Sequence, residues 1–257
     1  LITKDYISIK EQNWYFEFYS DTKNESVLIL LHHGLGSVAQ WKKWPLLLHK
    51  KLHKNVLVYD RTGYGKSSLP GSYYPFDYLR YEAKEVLPHI MKALDIQKAH
   101  LYGHSDGATI ALLAASYAPL NCFSVISEAA HVVIEDISVK GIRYTSQQYP
   151  KKLKKILTRF HKDKTDWVFN NWSGTWLNPQ FKSWNMLEEL KKIEAPVLAI
   201  QGEHDEYGSF KQLQIIKKYA NAKIIELPDC GHYPHNEKSE KVLNTIRGFF
   251  DERIKEE

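Results

Sequence analysis

Cysteine is nearly absent, with two in 257 residues, Cys122 and Cys230. Two are too few for a disulfide framework. Each sits in or beside an apolar strand-like segment, as small buried thiols of a reducing compartment do. No apolar run approaches the length of a membrane span. The opening LITKDYISIK has no signal-peptide pattern, so a cytoplasmic protein without a membrane partner is expected, although a start at Leu1 rather than methionine leaves an upstream segment open. Charge of one sign is not concentrated either. Lys and Arg number 35 against 30 acidic residues, a net +5, and the lysines fall on helical stretches such as KKLKK and KKIE, as solvated faces. Without a basic stripe or a reading motif, no nucleic-acid partner is expected. Internal repeats and low-complexity tracts are missing too.

Metal-binding spacing is equally scarce. His49 and His53 stand four apart on a helical stretch, but Lys50 replaces the glutamate that a zincin motif requires. His232 and His235 lack a third ligand, and GYGKS in the loop RTGYGKSS lacks the spacing of a phosphate-binding loop. No metal is expected, and surface positions plus one catalytic base account for the twelve histidines.

What is present is an alternation. Two segments of period-two pattern, DYISIK and NWYFEFYS, begin the chain as a hairpin. VLILLHH (27–33), NVLVYD (55–60), AHLYGH, CFSVISEA (122–129), APVLAIQG (195–202) and AKIIELPD (222–229) read as strands, most of them continuously apolar. Helical patterns separate them, notably about 77–94, 106–118 and 236–254. Strand and helix alternating this often imply an α/β fold, a mostly parallel sheet flanked by helices. The alternation breaks between 135 and 194, a helical, lysine-rich stretch holding Trp167, Trp172, Trp176 and Trp184. It returns directly to a strand, so residues 1–134 and 195–257 form one core domain and 135–194 an insertion.

The chemistry centres on GHSDG (103–107), a G-x-S-x-G pattern that follows a buried strand and opens a helix. In that context Ser105 sits on a tight, strained turn that glycine on both sides permits, above the positive end of a helix. A serine hydroxyl needs a base, and the base an orienting acid. QGEHDEYG offers Glu203, Asp205 and Glu206 after one later strand, and DCGHYPHNE offers His232 and His235 after the next. Loop position favours Asp205 and His232, with Glu128 as the rival acid after FSVISE. An oxyanion hole needs two backbone N–H groups. Asp106, directly after the serine, and Leu35 in the His33-Gly34-Leu35-Gly36 turn are the natural donors. The Asp106 side chain has two readings, a cap or structural acid at the helix start, or a pocket carboxylate for a cationic substrate group.

Together HHGLGS, DRTGYGKS, GHSDG, QGEHDEYG and CGHYPHNE resemble the α/β-hydrolase family over essentially the whole chain. The resemblance implies an eight-stranded, mostly parallel sheet with a helical cap inserted after the sixth strand, at 135–194. It also implies a triad of Ser105, His232 and Asp205. GHSDGATIALL is closer to a bacterial hydrolase group and to aminoacyl esterases of the valacyclovir-hydrolase type, in which the acid after the nucleophile holds a substrate ammonium.

The expected function is a serine hydrolase acting on a small ester, thioester, lactone or activated amide, without a metal or organic cofactor. His33, Gly34, Trp41, Asp106, Glu128, His131 and Trp172 are candidate substrate contacts. The alternatives on this fold are C–C bond hydrolases or lyases and catalytically silent binding proteins. A dehalogenase is disfavoured because it needs an aspartate where Ser105 stands.

Overall fold

The computed structural model describes residues 1–9, 11–21, 27–71, 74–117 and 121–254. Eight strands form one sheet: β1 (Ile2–Ile9), β2 (Gln12–Tyr19), β3 (Val27–Leu31), β4 (Asn55–Tyr59), β5 (Lys98–His104), β6 (Asn121–Glu128), β7 (Val197–Gly202) and β8 (Ala222–Leu227). Their order in space is β1-β2-β4-β3-β5-β6-β7-β8. The hairpin β1–β2 is antiparallel, with Ile2 opposite Tyr19, and β2 joins β4 antiparallel. From β4 through β3 to β8 every pair is parallel. The chain leaves β3 for β4 on one side and reaches β5 on the other. The loops after β3 and β5 therefore diverge and open a crevice at the carboxyl edge of the sheet.

Continuous apolar strands follow from burial on both faces. Ile29, Leu31 and Leu57 point into a core shared with the helix Asp106–Ser116, whereas Leu28, Leu30, Val56 and Val58 meet Val242 and Ile246 of the last helix on the opposite face. Burial of each such side chain stabilises the fold by about 1.5–3 kcal/mol before entropy is counted.

Two expected helices are interrupted. The 77–94 pattern divides into Tyr78–Tyr81, a π-turn at Glu82–Val86 and Leu87–Ala93. Pro88 has no N–H to donate and its ring crowds the carbonyl four residues back, so a widened turn takes up the misfit. Pro150 lies in a second π-turn, Tyr149–Leu153. The closing helix is likewise two helices, Pro234–Glu237 and Ser239–Ile254, because Lys238 leaves helical geometry at φ −131°, ψ 43°.

Between β6 and β7 the chain is helical, with Asp136–Gln148, Lys154–His161, Thr165–Trp176 and Leu187–Leu190. An antiparallel bridge between Val133 and Asn185 ties the two ends of this excursion together. Its tryptophans fasten it to the body. Trp176 Nε1 donates to the Tyr78 hydroxyl at 3.0 Å, and Trp184 Nε1 donates to Asp77 at 3.0 Å. Trp167 lies so close over Gly63 that a Cβ there would meet its ring at 2.1 Å. Among the described residues no helix is long and apolar enough to cross a membrane.

Candidate active site

Strand β5 ends at His104 and the next helix begins at Asp106, so Ser105 alone turns the chain. It does so at φ 56°, ψ −119°, a conformation that costs a residue with a Cβ roughly 1–3 kcal/mol. Glycine makes the turn possible. A Cβ on Gly103 would lie 2.0 Å from the Gly107 carbonyl oxygen, and one on Gly107 would lie 1.9 Å from that of Leu31. The Ser105 N–H donates to the Glu128 carbonyl at 2.8 Å, while its own carbonyl accepts from the amides of Ala108 and Thr109. The serine is thereby tied to β6 behind and to the helix ahead.

Asp205 and His232 come from the loops after β7 and β8. Parallel pairing places these loops side by side, and His232 Nδ1 donates to Asp205 Oδ1 at 2.8 Å. The same carboxylate accepts from the Tyr207 amide at 2.8 Å and from Gln201 at 3.3 Å. With Nδ1 holding the proton, Nε2 carries the lone pair. Burial disfavours the imidazolium of His232. The charge and hydrogen bond of Asp205, aided by Glu206 and Glu128, outweigh burial and raise its pKa above the ordinary imidazole value.

The HHGLGS loop is a tight turn closed by the Gly36 amide on the His33 carbonyl at 2.9 Å. The Leu35 N–H faces the His33 ring, 3.3 Å from Nδ1. A Cβ on Gly34 would lie 2.2 Å from Trp172 Nε1 and 3.0 Å from Asp106 Oδ2. Glycine at 34 thus lets the inserted helix Thr165–Trp176 reach the loop beside the serine.

Arg61, from DRTGYGKS, anchors this loop from below. Its amide donates to His32 Nε2 at 3.0 Å, its guanidinium donates to the His33 carbonyl at 3.0 Å, and it lies 3.8 Å from Asp106. Both charged side chains are essentially unexposed. The Tyr78 hydroxyl also donates to Asp106. At the start of this helix the Asp106 carboxylate thus takes the structural one of its two readings, as a buried partner of Arg61 and Tyr78. Burial pushes its carboxyl pKa up, against the pull of Arg61 and Tyr78. Asp106→Ala is expected to cost about 3–5 kcal/mol, because it strands a buried guanidinium. Urea midpoints against wild type measure this.

A cavity of about 840 Å³ opens over Ser105. Ser105, Asp106 and His232 lie on its wall, as do His33, Gly34, Leu35, Trp41, His131 and Trp172. The inserted segment supplies Ile142, Leu153, Leu157 and Phe160 to the cavity lining, together with the polar Thr145, Gln148 and Lys152.

Glu128 is placed differently. It is fully buried and bonded to His235 Nδ1 at 2.5 Å, to the His235 amide at 3.1 Å and to the Tyr102 hydroxyl, behind the cavity. Its expected role as a substrate contact is therefore corrected. The surface reading of the histidines is corrected as well. His32, His104, His131, His161 and His235 are buried alongside His232, each with a hydrogen-bond partner that sequence spacing does not reveal. The burial of His104 and the nearby His235 lower its pKa to about 3, which keeps the ring neutral.

His104, Glu128 and His235 offer donor atoms within 4.8 Å of one another. The 2.5 Å contact between His235 and Glu128 is a hydrogen bond. Two ligands of a tetrahedral ion, with bonds of about 2.1 Å, would sit roughly 3.4 Å apart. The trio Glu203, His204 and Asp229 is exposed.

A family model described as "Alpha/beta hydrolase family" matches residues 29–245. The chain is 28% identical to the serine hydrolase BPHL of Homo sapiens over 229 residues, covering 84% of this chain and 77% of that one. It is 23% identical to a proline iminopeptidase of Saccharolobus solfataricus over 283 residues, covering 93% and 89%. In fold it resembles the enol-lactonase from Burkholderia xenovorans LB400, with a TM-score of 0.74 at 20% identity, covering 96% of this chain and all of the other. The matched profile spans most of the sheet and every loop of the site, and the chain belongs to the alpha/beta hydrolase family as an enzyme of the hydrolase class.

Proposed function

We propose that the chain is a serine hydrolase that cleaves a small carboxylic ester or thioester with a neutral, apolar acyl group. One observation carries the reading: a strained Ser105 shares a largely apolar cavity with a His232 whose Nδ1 is held by Asp205. Ser105 Oγ attacks the acyl carbon as His232 Nε2 takes its proton. The Asp106 and Leu35 amides receive the oxyanion, Leu35 exchanging its long bond to His33 for the substrate oxygen. His232 then gives its proton to the leaving oxygen or sulfur. Water, deprotonated by the same ring, releases the acid and restores Ser105.

Residues 135–194 act as the cap, supplying Ile142, Leu153, Leu157 and Phe160 to the acyl side of the cavity. The neutrality of the acyl group follows from Asp106, whose charge is already met by Arg61 and Tyr78. The relative BPHL is itself named a serine hydrolase, and the fold neighbour an enol-lactonase.

A fluorophosphonate probe is expected to label wild type but not Ser105→Ala. Nitrophenyl esters of neutral acyl chains are expected to turn over faster than aminoacyl esters. An unlabelled wild type refutes the nucleophile, and a clear preference for aminoacyl esters refutes the neutral pocket.

A further inference from the structure

Three carboxyl-edge loops meet at Glu128. Its backbone carbonyl accepts the Ser105 N–H at 2.8 Å. Its carboxylate reaches past the end of β7 to His235, three residues beyond His232, and accepts both the Nδ1–H at 2.5 Å and the amide at 3.1 Å. The Tyr102 hydroxyl, from β5, donates to it as well. One residue thus touches the nucleophile turn with its backbone and the histidine loop with its side chain.

A second strut runs parallel. His104, directly before the serine, donates Nε2–H to the His232 carbonyl at 2.7 Å. The Trp41 ring lies tilted at 40° against His235, centroids 4.8 Å apart, and closes the group from the oxyanion-loop side. Ala129 follows Glu128 at φ 55°, a left-handed conformation disfavoured for alanine, and its amide is pinned to the Ile200 carbonyl at 2.8 Å. The chain accepts strain there while the Glu128 carbonyl faces Ser105.

We propose that Glu128 and His235 form a brace that keeps Ser105 in register with His232, making both positioning residues for the proton transfer between them. The proposal rests on the Ser105–His232 reading of the site. Carboxylate and imidazole are both buried, so the contact is short, dry and poorly tolerant of slack. A mobile surface pair would hold nothing in place. A displacement on the order of 1 Å between nucleophile and base costs about 100-fold in rate.

The test uses Glu128→Gln, His235→Gln and the double variant, with thermal melts to confirm folding. Each single variant is expected to lower kcat and the rate of fluorophosphonate labelling about 10- to 100-fold with KM nearly unchanged. The double variant is expected to be no worse than either single one, since the two act as a unit. Glu128 is one of the charges favouring the His232 imidazolium, so Glu128→Gln should also move the acid limb of kcat/KM to lower pH.

Wild-type kcat and labelling in a folded Glu128→Gln overturn the brace. Should that variant not fold, Tyr102→Phe and His235→Gln decide, and wild-type rates in both overturn it equally. Wild type that resists labelling, or Ser105→Ala that still turns over, refutes the nucleophile instead, so the two failures are distinguishable.

Discussion

Ser105→Ala is expected to lower kcat about 10⁶-fold, and Asp205→Asn about 10⁴-fold, with the folded structure retained in both. The first removes the atom that attacks. The second leaves a side chain of the same shape that no longer favours the productive tautomer of His232 or stabilises its cation. Because both act on one proton transfer, Ser105→Ala/Asp205→Asn should be no slower than Ser105→Ala alone. Additive losses in the double variant would mean that the two residues do not serve one reaction step.

The pH profile carries the same logic. His232 accepts a proton only when neutral, and Asp205 raises its pKa above the ordinary imidazole value. Wild-type kcat/KM should therefore climb with pH along a limb centred above that value. In Asp205→Asn the residual limb should move to lower pH, because the carboxylate that stabilised the imidazolium is gone. A limb that stays in place would assign the titration to another group.

The sheet and the loop positions of Ser105, Asp205 and His232 were legible because each follows from local constraints. Strands buried on both faces are continuously apolar, and a strand-to-helix turn this tight demands glycine at 103 and 107. The Glu128–His235 contact was not legible. It spans 107 positions and exists only once β6 and β8 lie two places apart in the sheet. Arg61 was hidden for a related reason. A charged residue in a loop reads as solvated, and its burial depends on Asp106, Tyr78 and the His33 carbonyl arriving from three other segments. The π-turns did leave a signal, a proline at 88 and at 150 inside otherwise helical periodicity.

Gly107→Ala is expected to destabilise the fold by at least about 4–5 kcal/mol, beyond the 1–3 kcal/mol usual for an added methyl in a core. Its Cβ would lie 1.9 Å from the Leu31 carbonyl oxygen and 2.7 Å from that of His32. These are backbone atoms. Leu31 ends β3, which is hydrogen-bonded between β4 and β5, so no rotamer change relieves the overlap. The helix would have to lift off the sheet, taking Ser105 and the Asp106 amide with it. Domains of this size are commonly stable by only about 5–15 kcal/mol, so much of the margin would be lost.

Gly174→Ala is the control. A Cβ there meets nothing within 4 Å, and the residue lies inside the helix Thr165–Trp176. That exchange should stabilise by roughly 0.5–1 kcal/mol through helix propensity. Urea midpoints of the two variants should thus move in opposite directions. A Gly107→Ala protein that melts with wild type would show that the nucleophile turn can open without cost, and the strain assigned to Ser105 would lose its structural basis.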